Sequence, residues 1–394
     1  MSVWAGLHGV KVIEFGQYLA GPYAANVLAY FGADVVKVEP VGGDMVRHIG
    51  PAAQEGLTAT FASLNLNKRV VALDLSRPES AEVVDALIAD ADVLIQNLKP
   101  GKADEYGIGA ERLHSMNPRL VHCSISAFYP SVGATRPGFD ILVQADSGIM
   151  SITGEPDGVP CRVPVALSDY TIGLWLALGV MNALGGPRDR VELRLCLQDV
   201  LMALVHDDVV GYLGGGPVPQ RRGSGTQLMN PHRAFPTADG EVVVAAGPDN
   251  MFRRLAALLG PPVDDPRFHE RADRMAARAE LDELISEFTR AHTTAHWMSE
   301  LERIGIPCAE VRPFSDAIER HRDLSPTGVR AIGDVFVAAP PIEVVGEPWD
   351  YRSLPGALGA DTIEVLRDAG LPPERIDALI ASGVLHSADG APER

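Results

Sequence analysis

Lysine is scarce in this chain of 394 residues: it occurs five times, as Lys11, Lys37, Lys68, Lys99 and Lys102. Acidic residues outnumber basic ones by 52 to 34, a formal net charge of −18. That balance excludes a nucleic-acid partner, because binding a phosphate backbone requires an electropositive face. A small anionic ligand is not excluded, since its phosphates sense only the local field, and the confinement of lysine to the first 102 positions points there. Cysteine is also sparse. Cys123, Cys161, Cys196 and Cys308 lie far apart without ligand spacing, so neither a disulfide framework nor a metal cluster is expected, and a reducing, cytoplasmic setting is. The eleven histidines are scattered in the same way, which leaves metal chemistry without support. No apolar run reaches the roughly 18 residues of a membrane span. Met1 to Ala5 do not open a basic-then-apolar leader, so neither a signal peptide nor a membrane partner is expected. Several site motifs are missing as well. The first strand is followed by Gly16-Gln17-Tyr18-Leu19-Ala20-Gly21 and not by a dinucleotide-binding glycine pattern, and there is no Walker loop, zinc-protease motif or nucleophile elbow.

What is present is a repeated alternation. Val10–Phe15, Val35–Glu39, Val70–Leu75, Asp92–Gln96 and Leu120–Ser126 read as short apolar strands. Helical spacing separates the first pair, over Ala20–Phe31, and recurs from Pro78 to about Ala89. This pattern predicts an α/β fold, a Rossmann-like parallel sheet covered on both faces, with binding loops at its carboxyl edge. A long helix over Leu167–Leu184, a strand over Val191–Leu197 and a helix from about Gln198 to Tyr212 follow. Gly214-Gly215-Gly216-Pro217 then breaks the chain. Beyond it, Ala234 to Val244 carries an Asp239-Gly240 hairpin signal, with helices near 249–259, 279–290 and 294–304 and a strand at Cys308–Val311: a smaller α+β domain. From about 321 the chain is rich in Pro and Gly up to helices at Asp361–Ala369 and Pro373–Ala381, and the residues after Gly383 are expected to fray. The domains expected are 1–200 completed by 326–394, a linker over 201–224, and 225–325.

One carboxylate is oddly placed. Asp169 stands between apolar stretches, immediately before a long helix. Its position fits a helix N-cap, and it equally fits a partly desolvated functional group; residue spacing leaves both open.

A series of blocks settles the resemblance. Leu19-Ala20-Gly21-Pro22-Tyr23-Ala24 leads into Phe31-Gly32-Ala33-Asp34-Val35-Val36-Lys37-Val38-Glu39-Pro40 and Gly43-Asp44-Met45-Val46-Arg47. Then come Leu66-Asn67-Lys68-Arg69-Val70, Asp92-Val93-Leu94-Ile95-Gln96-Asn97-Leu98-Lys99-Pro100-Gly101, Arg136-Pro137-Gly138-Phe139-Asp140, Gly154-Glu155-Pro156-Asp157-Gly158 and Phe235-Pro236-Thr237-Ala238-Asp239-Gly240. In this order, over roughly residues 7 to 310, the chain resembles the class III coenzyme A transferases, the CaiB/BaiF family that includes formyl-CoA transferase.

The resemblance implies an enzyme that moves coenzyme A from an acyl-CoA to a free carboxylic acid, with Asp169 as nucleophile and an acyl-aspartyl anhydride and aspartyl-CoA thioester on the way. It implies no tightly bound cofactor, coenzyme A and acyl-CoA being substrates, and an interlocked homodimer. Lys37, Arg47, Lys68, Arg69 and Lys99 are the cations expected at the phosphates, Asn97 at the adenine or pantetheine, and Ala20 and Gly21 as small residues letting the nucleotide approach the backbone. The loop Ala245 to Asn250 is expected to border the acyl pocket. Three departures bear on this. Gln96 stands where relatives have Glu, the turn Gly185–Arg190 is shortened, and Leu358-Gly359-Ala360-Asp361-Thr362 replaces a Leu-Gly-Glu-His-Thr motif. The alternatives are a racemase of the same superfamily or a non-catalytic CoA-binding homologue. Racemases carry a histidine base where this chain has Phe139, and a phenyl ring accepts no proton.

Overall fold

The computed structural model describes residues 2–129, 131, 136, 138–325, 328–349 and 353–388. The chain divides into two compact units: Met1–Ser147 with Val163–His206 and Leu324–Arg394, and Gly148–Arg162 with Asp207–Asp323.

The first unit is built on a seven-stranded sheet. Its strands are β1 (Lys11–Glu14), β2 (Asp34–Glu39), β3 (Lys68–Leu73), β4 (Val93–Gln96), β5 (Val121–Ser126), β6 (Glu192–Cys196) and β7 (Leu385–His386), in the spatial order β7-β3-β2-β1-β4-β5-β6. All neighbours from β3 to β6 pair in parallel, with Val12 opposite Val35 on one side and Val93 on the other. Val, Ile and Leu runs suit strands with both faces covered, and Val12, Val35, Val70, Val93 and Leu94 are buried. The order 3-2-1-4-5-6 is that of a doubly wound dinucleotide-type fold, whose topological switch lies between β1 and β4. The loops leaving those two strands, Phe15–Leu19 and Asn97–Lys99, therefore open onto the crevice where such sheets bind ligands.

Helices α1 (Ala20–Tyr30), α2 (Ser80–Ile88), α3 (Asp140–Asp146), α4 (Leu167–Leu184), α5 (Leu197–Leu204), α6 (Thr362–Asp368) and α7 (Pro373–Ala381) belong to the same unit. Val83, Val84 and Ile88 of α2 share a core with Leu366 of α6, Ile376 and Leu379 of α7, and Leu73 and Leu94 of the sheet. The close packing of α1 on α4 depends on small residues: a Cβ on Gly173 would lie 2.8 Å from the Tyr23 ring and 3.1 Å from the Ala24 nitrogen.

Several expectations change. The helix expected from Gln198 to Tyr212 breaks at Val205, and the segment expected as linker begins with the end of α5 and continues as a second helix, His206–Leu213. Gly148–Arg162 joins the second unit, where Gly223 donates its N–H to the Gly154 carbonyl and Arg221 donates to the carbonyls of Ser151 and Glu155. A helix, Phe314–Leu324, runs into the start of the Pro- and Gly-rich stretch, which then holds the hairpin Val329–Ile332 with Val335–Ala338. The tail does not fray at Gly383: Val384 and Leu385 are buried, and β7 pairs antiparallel with β3, Leu385 opposite Leu73. An unpaired edge of β3 leaves backbone groups unsatisfied, and β7 satisfies them. Residues 389–394 of that tail lie outside the described part. Finally, α4 is, by length and composition, long and apolar enough to cross a membrane, contrary to the sequence reading. A core helix passes the same test, and α4 buries Ile172, Leu176 and Val180 in the first unit.

The second unit carries the three-stranded antiparallel sheet His232–Pro236, Glu241–Ala245 and Cys308–Glu310, with the Thr237 N–H closing the turn on the Gly240 carbonyl. Helices Asp249–Leu259, Arg278–Thr289 and Thr294–Arg303 accompany it, around a core of Phe235, Val242, Phe252, Leu281 and Trp297.

Candidate active site

Asp169 lies in the first turn of α4, third after the capping position, which Ala166 occupies without a side-chain bond. It is therefore not the N-cap. The capping role falls to Asp140, the first residue of α3, whose Oδ1 accepts the Ser168 N–H at 2.9 Å and the Ser168 hydroxyl at 2.8 Å. Gln144, one turn on, donates to Asp140 Oδ2 at 2.7 Å and accepts the Val163 N–H at 2.9 Å, tying down the strand of chain that enters α4. Asp140 is buried, and a satisfied carboxylate there places a negative charge beside Asp169.

Asp169 itself makes no hydrogen bond or ion pair among the described residues. Burial, and after it the charge of Asp140, raises its pKa to about 7. A half-buried carboxylate without a cation, held by a helix turn, is poised between protonation states near neutrality. It is a stronger nucleophile than one solvated by water. Tyr170 stacks edge-on against Tyr23 at 4.9 Å, and Phe139 against Tyr18 at 5.7 Å, so aromatic rings from α1 and its loop flank the segments carrying Asp169 and Asp140.

The loop at the switch point is clamped from several sides. Asn97 accepts the Gln17 N–H at 2.9 Å and donates to the Gln17 carbonyl at 2.8 Å. Lys37 donates to the Gly16 carbonyl at 2.9 Å, and the Tyr18 N–H donates to Asp44 at 3.2 Å. Tyr18 adopts a φ of 63°, a conformation that non-glycine residues hold only when their surroundings impose it. Gln96 donates no charge here; its Oε1 accepts the Leu98 N–H at 2.8 Å and shapes the turn that carries Asn97.

Most of the cations expected at phosphates are engaged inside the protein. Lys37 and Lys68 have fully buried side chains around one carboxylate, Glu14, at 3.1 and 2.7 Å, and Lys37 also meets Asp44 at 2.9 Å. This corrects their expected role: neither ammonium reaches the surface. Burial works against the charge of Lys37, but Glu14, Asp44 and Glu39 outweigh it and the net shift is upward. For Lys68 burial prevails over Glu14, with Lys37 adding to it, and the pKa falls to about 8. Arg47 grips Glu39 with two bonds of 2.7 Å and lies 3.7 Å from the centre of the Phe61 ring, its outer surface nearly closed. Arg69 is shared between Asp34 at 2.6 Å and Asp368 at 3.0 Å and stays partly exposed. Ala20 and Gly21 begin α1 and are buried. A Cβ on Gly21 would stand 3.1 Å from Gly16, so their smallness serves the packing of the chain on itself. Lys99 alone of the five is exposed without an ion pair among the described residues, on the loop leaving β4.

In the second unit, the loop Ala245–Asn250 is packed and not open at Gly247, where a Cβ would meet Met229 at 2.5 Å, and its carbonyl accepts from Arg274. Sequence reasoning missed Asp140, Gln144 and Asn97's clamp on Gln17. An acidic residue and an amide four apart, Asp140 and Gln144, are a detectable signal of a polar pair on one helix face.

The profile of CoA-transferase family III matches residues 7–362. The chain belongs to that family. It is 36% identical over 329 residues, 79% of this chain and 81% of the relative, to succinate–glutarate CoA-transferase of Agrobacterium fabrum. It is 30% identical over 362 residues, 90% of this chain and 92% of the relative, to acetyl-CoA:oxalate CoA-transferase of Acetobacter aceti. Among solved structures, a CaiB/BaiF family protein from Brucella suis superposes with a TM-score of 0.81 at 31% identity, over 92% of this chain and 99% of that one. The family III assignment makes the chain an enzyme, a CoA-transferase whose substrate is a CoA thioester.

Proposed function

We propose that this enzyme transfers coenzyme A between carboxylic acids through covalent intermediates on Asp169. The observation that carries the proposal is the half-buried Asp169 carboxylate, unpaired among the described residues and raised to a pKa of about 7 beside Asp140. The carboxylate attacks the thioester carbonyl of the donor, forming an acyl-aspartyl anhydride and releasing the CoA thiolate. The thiolate attacks the aspartyl carbonyl, giving the aspartyl-CoA thioester and freeing the donor acid. The acceptor carboxylate displaces the thiolate to form its own anhydride, and the thiolate then attacks the acceptor's acyl carbon, delivering the new acyl-CoA and restoring Asp169. One thioester replaces another, so no ATP is required.

Relatives named for succinate and glutarate, citramalate, and oxalate support small dicarboxylic acids as the acid class. Lys99 is the residue we assign to a CoA phosphate. We also propose a homodimer, supported by the apolar face of α4, where Leu174, Trp175 and Leu178 are about half exposed at 46%, 52% and 58%. Light scattering that gives the mass of one chain at micromolar concentration refutes it. The test of the chemistry is incubation with succinyl-CoA followed by intact-protein mass measurement. A hydroxylamine-sensitive adduct on Asp169 is expected; CoA transfer to an acceptor acid without any adduct, or an adduct that persists in Asp169→Asn, refutes the assignment.

A further inference from the structure

The second unit contains arginines that its own structure leaves unfinished. Arg274 shows what a completed one looks like there: fully buried, it donates to the carbonyls of Asn230, Phe268, His269 and Gly247 and to Asp249. Arg222 and Arg278 differ. Each has a buried Nε with no hydrogen-bond partner. Arg278 spends one nitrogen, Nη2, on the Met229 carbonyl at 3.2 Å and the Met275 sulfur at 3.3 Å. Beside them Asn230 is completely buried, and both atoms of its amide lack a partner. Its amide acts on the Asp282 carboxylate as a side-chain hydrogen-bonding group that lowers the carboxyl's pKa, but in a geometry that leaves Asp282 Oδ1 and the amide short of a full hydrogen bond.

These groups are neighbours. Arg233 bonds Asp282 at 3.1 Å, and a Cβ on Gly225 would lie 3.1 Å from the Arg222 carbonyl, 3.3 Å from Arg278 Nη1 and 3.7 Å from Arg233 Cβ. Burial, and then the charges of Arg222 and Arg233, hold the Arg278 guanidinium below its ordinary range. The carboxylates near this group are Asp282, already paired with Arg233, Asp208, which acts on Arg222 and accepts from Gln227, and Glu155, whose oxygens lie 2.6 and 2.7 Å from where a Cβ on Gly223 would stand. None of these carboxylates meets the buried Nε of Arg222 or of Arg278, so both donors stay unsatisfied. Like charges placed together with buried donors unmet are unfavourable unless a ligand completes them.

We propose that Arg222, Arg278 and Asn230, with Arg233 behind them, form a binding site for a small oxyanion. Planar guanidinium forks match the two oxygens of a carboxylate or phosphate, and the Asn230 amide supplies a further donor. A carboxylate would come from an acid substrate and a phosphate from a nucleotide; the chemistry of recognition is shared.

The test is calorimetric titration of the full-length protein with succinate, with inorganic phosphate and with acetate. Saturable binding of succinate or phosphate is expected, weakened at least about tenfold in Arg222→Gln and in Arg278→Gln. Preference for succinate over acetate and phosphate identifies the acid; preference for phosphate, displaced by adenosine 3′,5′-bisphosphate, identifies the nucleotide. Should Arg278→Gln unfold, Arg222→Gln decides alone, with Arg222→Lys expected to restore only part of the affinity because it keeps charge without the fork. Unchanged affinity in the folded variants, or no saturable anion in the wild type, overturns the site. Adduct formation on Asp169 is read separately by mass, so failure of the covalent mechanism leaves this result standing.

Discussion

The Asp140 carboxylate caps the helix that carries Asp169: it takes the Ser168 N–H and hydroxyl, at 2.9 and 2.8 Å, across 28 residues of sequence. One acidic residue thus orients the other while its charge raises the neighbour's pKa. Geometry and reactivity are coupled through a single side chain.

Asp169→Asn should abolish the covalent adduct without harming the fold, because Asp169 is not the cap. The sign of its stability effect follows from the raised pKa. Between the ordinary carboxylate range and about pH 7 the native state holds a proton that the unfolded chain releases, so native stability falls as pH rises through that window. The variant lacks this loss. In urea it should match the wild type near pH 4 and exceed it by about 1 kcal/mol above pH 7, the partly exposed group screening the rest. A variant less stable than wild type at pH 8 contradicts the assigned environment.

The rate of adduct formation, measured in single turnovers, should rise with pH through about 7 as Asp169 ionises. Asp140→Asn removes the neighbouring charge and should move that midpoint down. Burial, the larger cause, remains, and the midpoint should stay above the ordinary range. The same substitution weakens the cap on Ser168 and should cost about 1 kcal/mol. An unmoved midpoint would show that Asp140 acts only as a cap.

Asn97→Ala removes both bonds to the Gln17 backbone and should lower stability by about 1–3 kcal/mol. Asn97→Asp keeps the acceptor for the Gln17 N–H but turns a donor into an acceptor against a carbonyl. Chemical denaturation should rank wild type first, and neutrality of both variants would mean that the clamp is not formed in solution.

The two buried lysines should respond unequally. Lys37→Met leaves Glu14 and Asp44 with one cation fewer and should cost about 3–5 kcal/mol. Lys68→Met should cost less, since the net environment of Lys68 disfavours its charge while that of Lys37 favours it. Denaturant midpoints in the opposite order would overturn this reading of the cluster.

Truncation after Gly383 deletes Val384 and Leu385, both buried, and uncovers the edge of β3. A loss of about 3 kcal/mol or more is expected from the buried apolar surface alone. A truncated chain with unchanged thermal midpoint would return the tail to the frayed state that its Gly383-led sequence suggests.

The parallel sheet was legible in the residues because its signal is local: Val12–Ile13, Val35–Val36 and Val70–Val71 are apolar on consecutive positions, as strands covered on both faces must be. Helix α4 was legible from Leu167 to Leu184 for the same reason, and Asp169 stood out against its apolar flanks. Partnership was not legible. Whether a lysine meets phosphate or carboxylate depends on chain segments that arrive from elsewhere. Lys68 meets Glu14 from 54 residues away, and Arg69 meets Asp368 from 299. Nor could Asp169 be told from a cap until the tertiary fold brought Asp140 to Ser168. Apolar periodicity is written within a few residues; the desolvation and neighbouring charge that set a group's chemistry exist only once distant residues share one site.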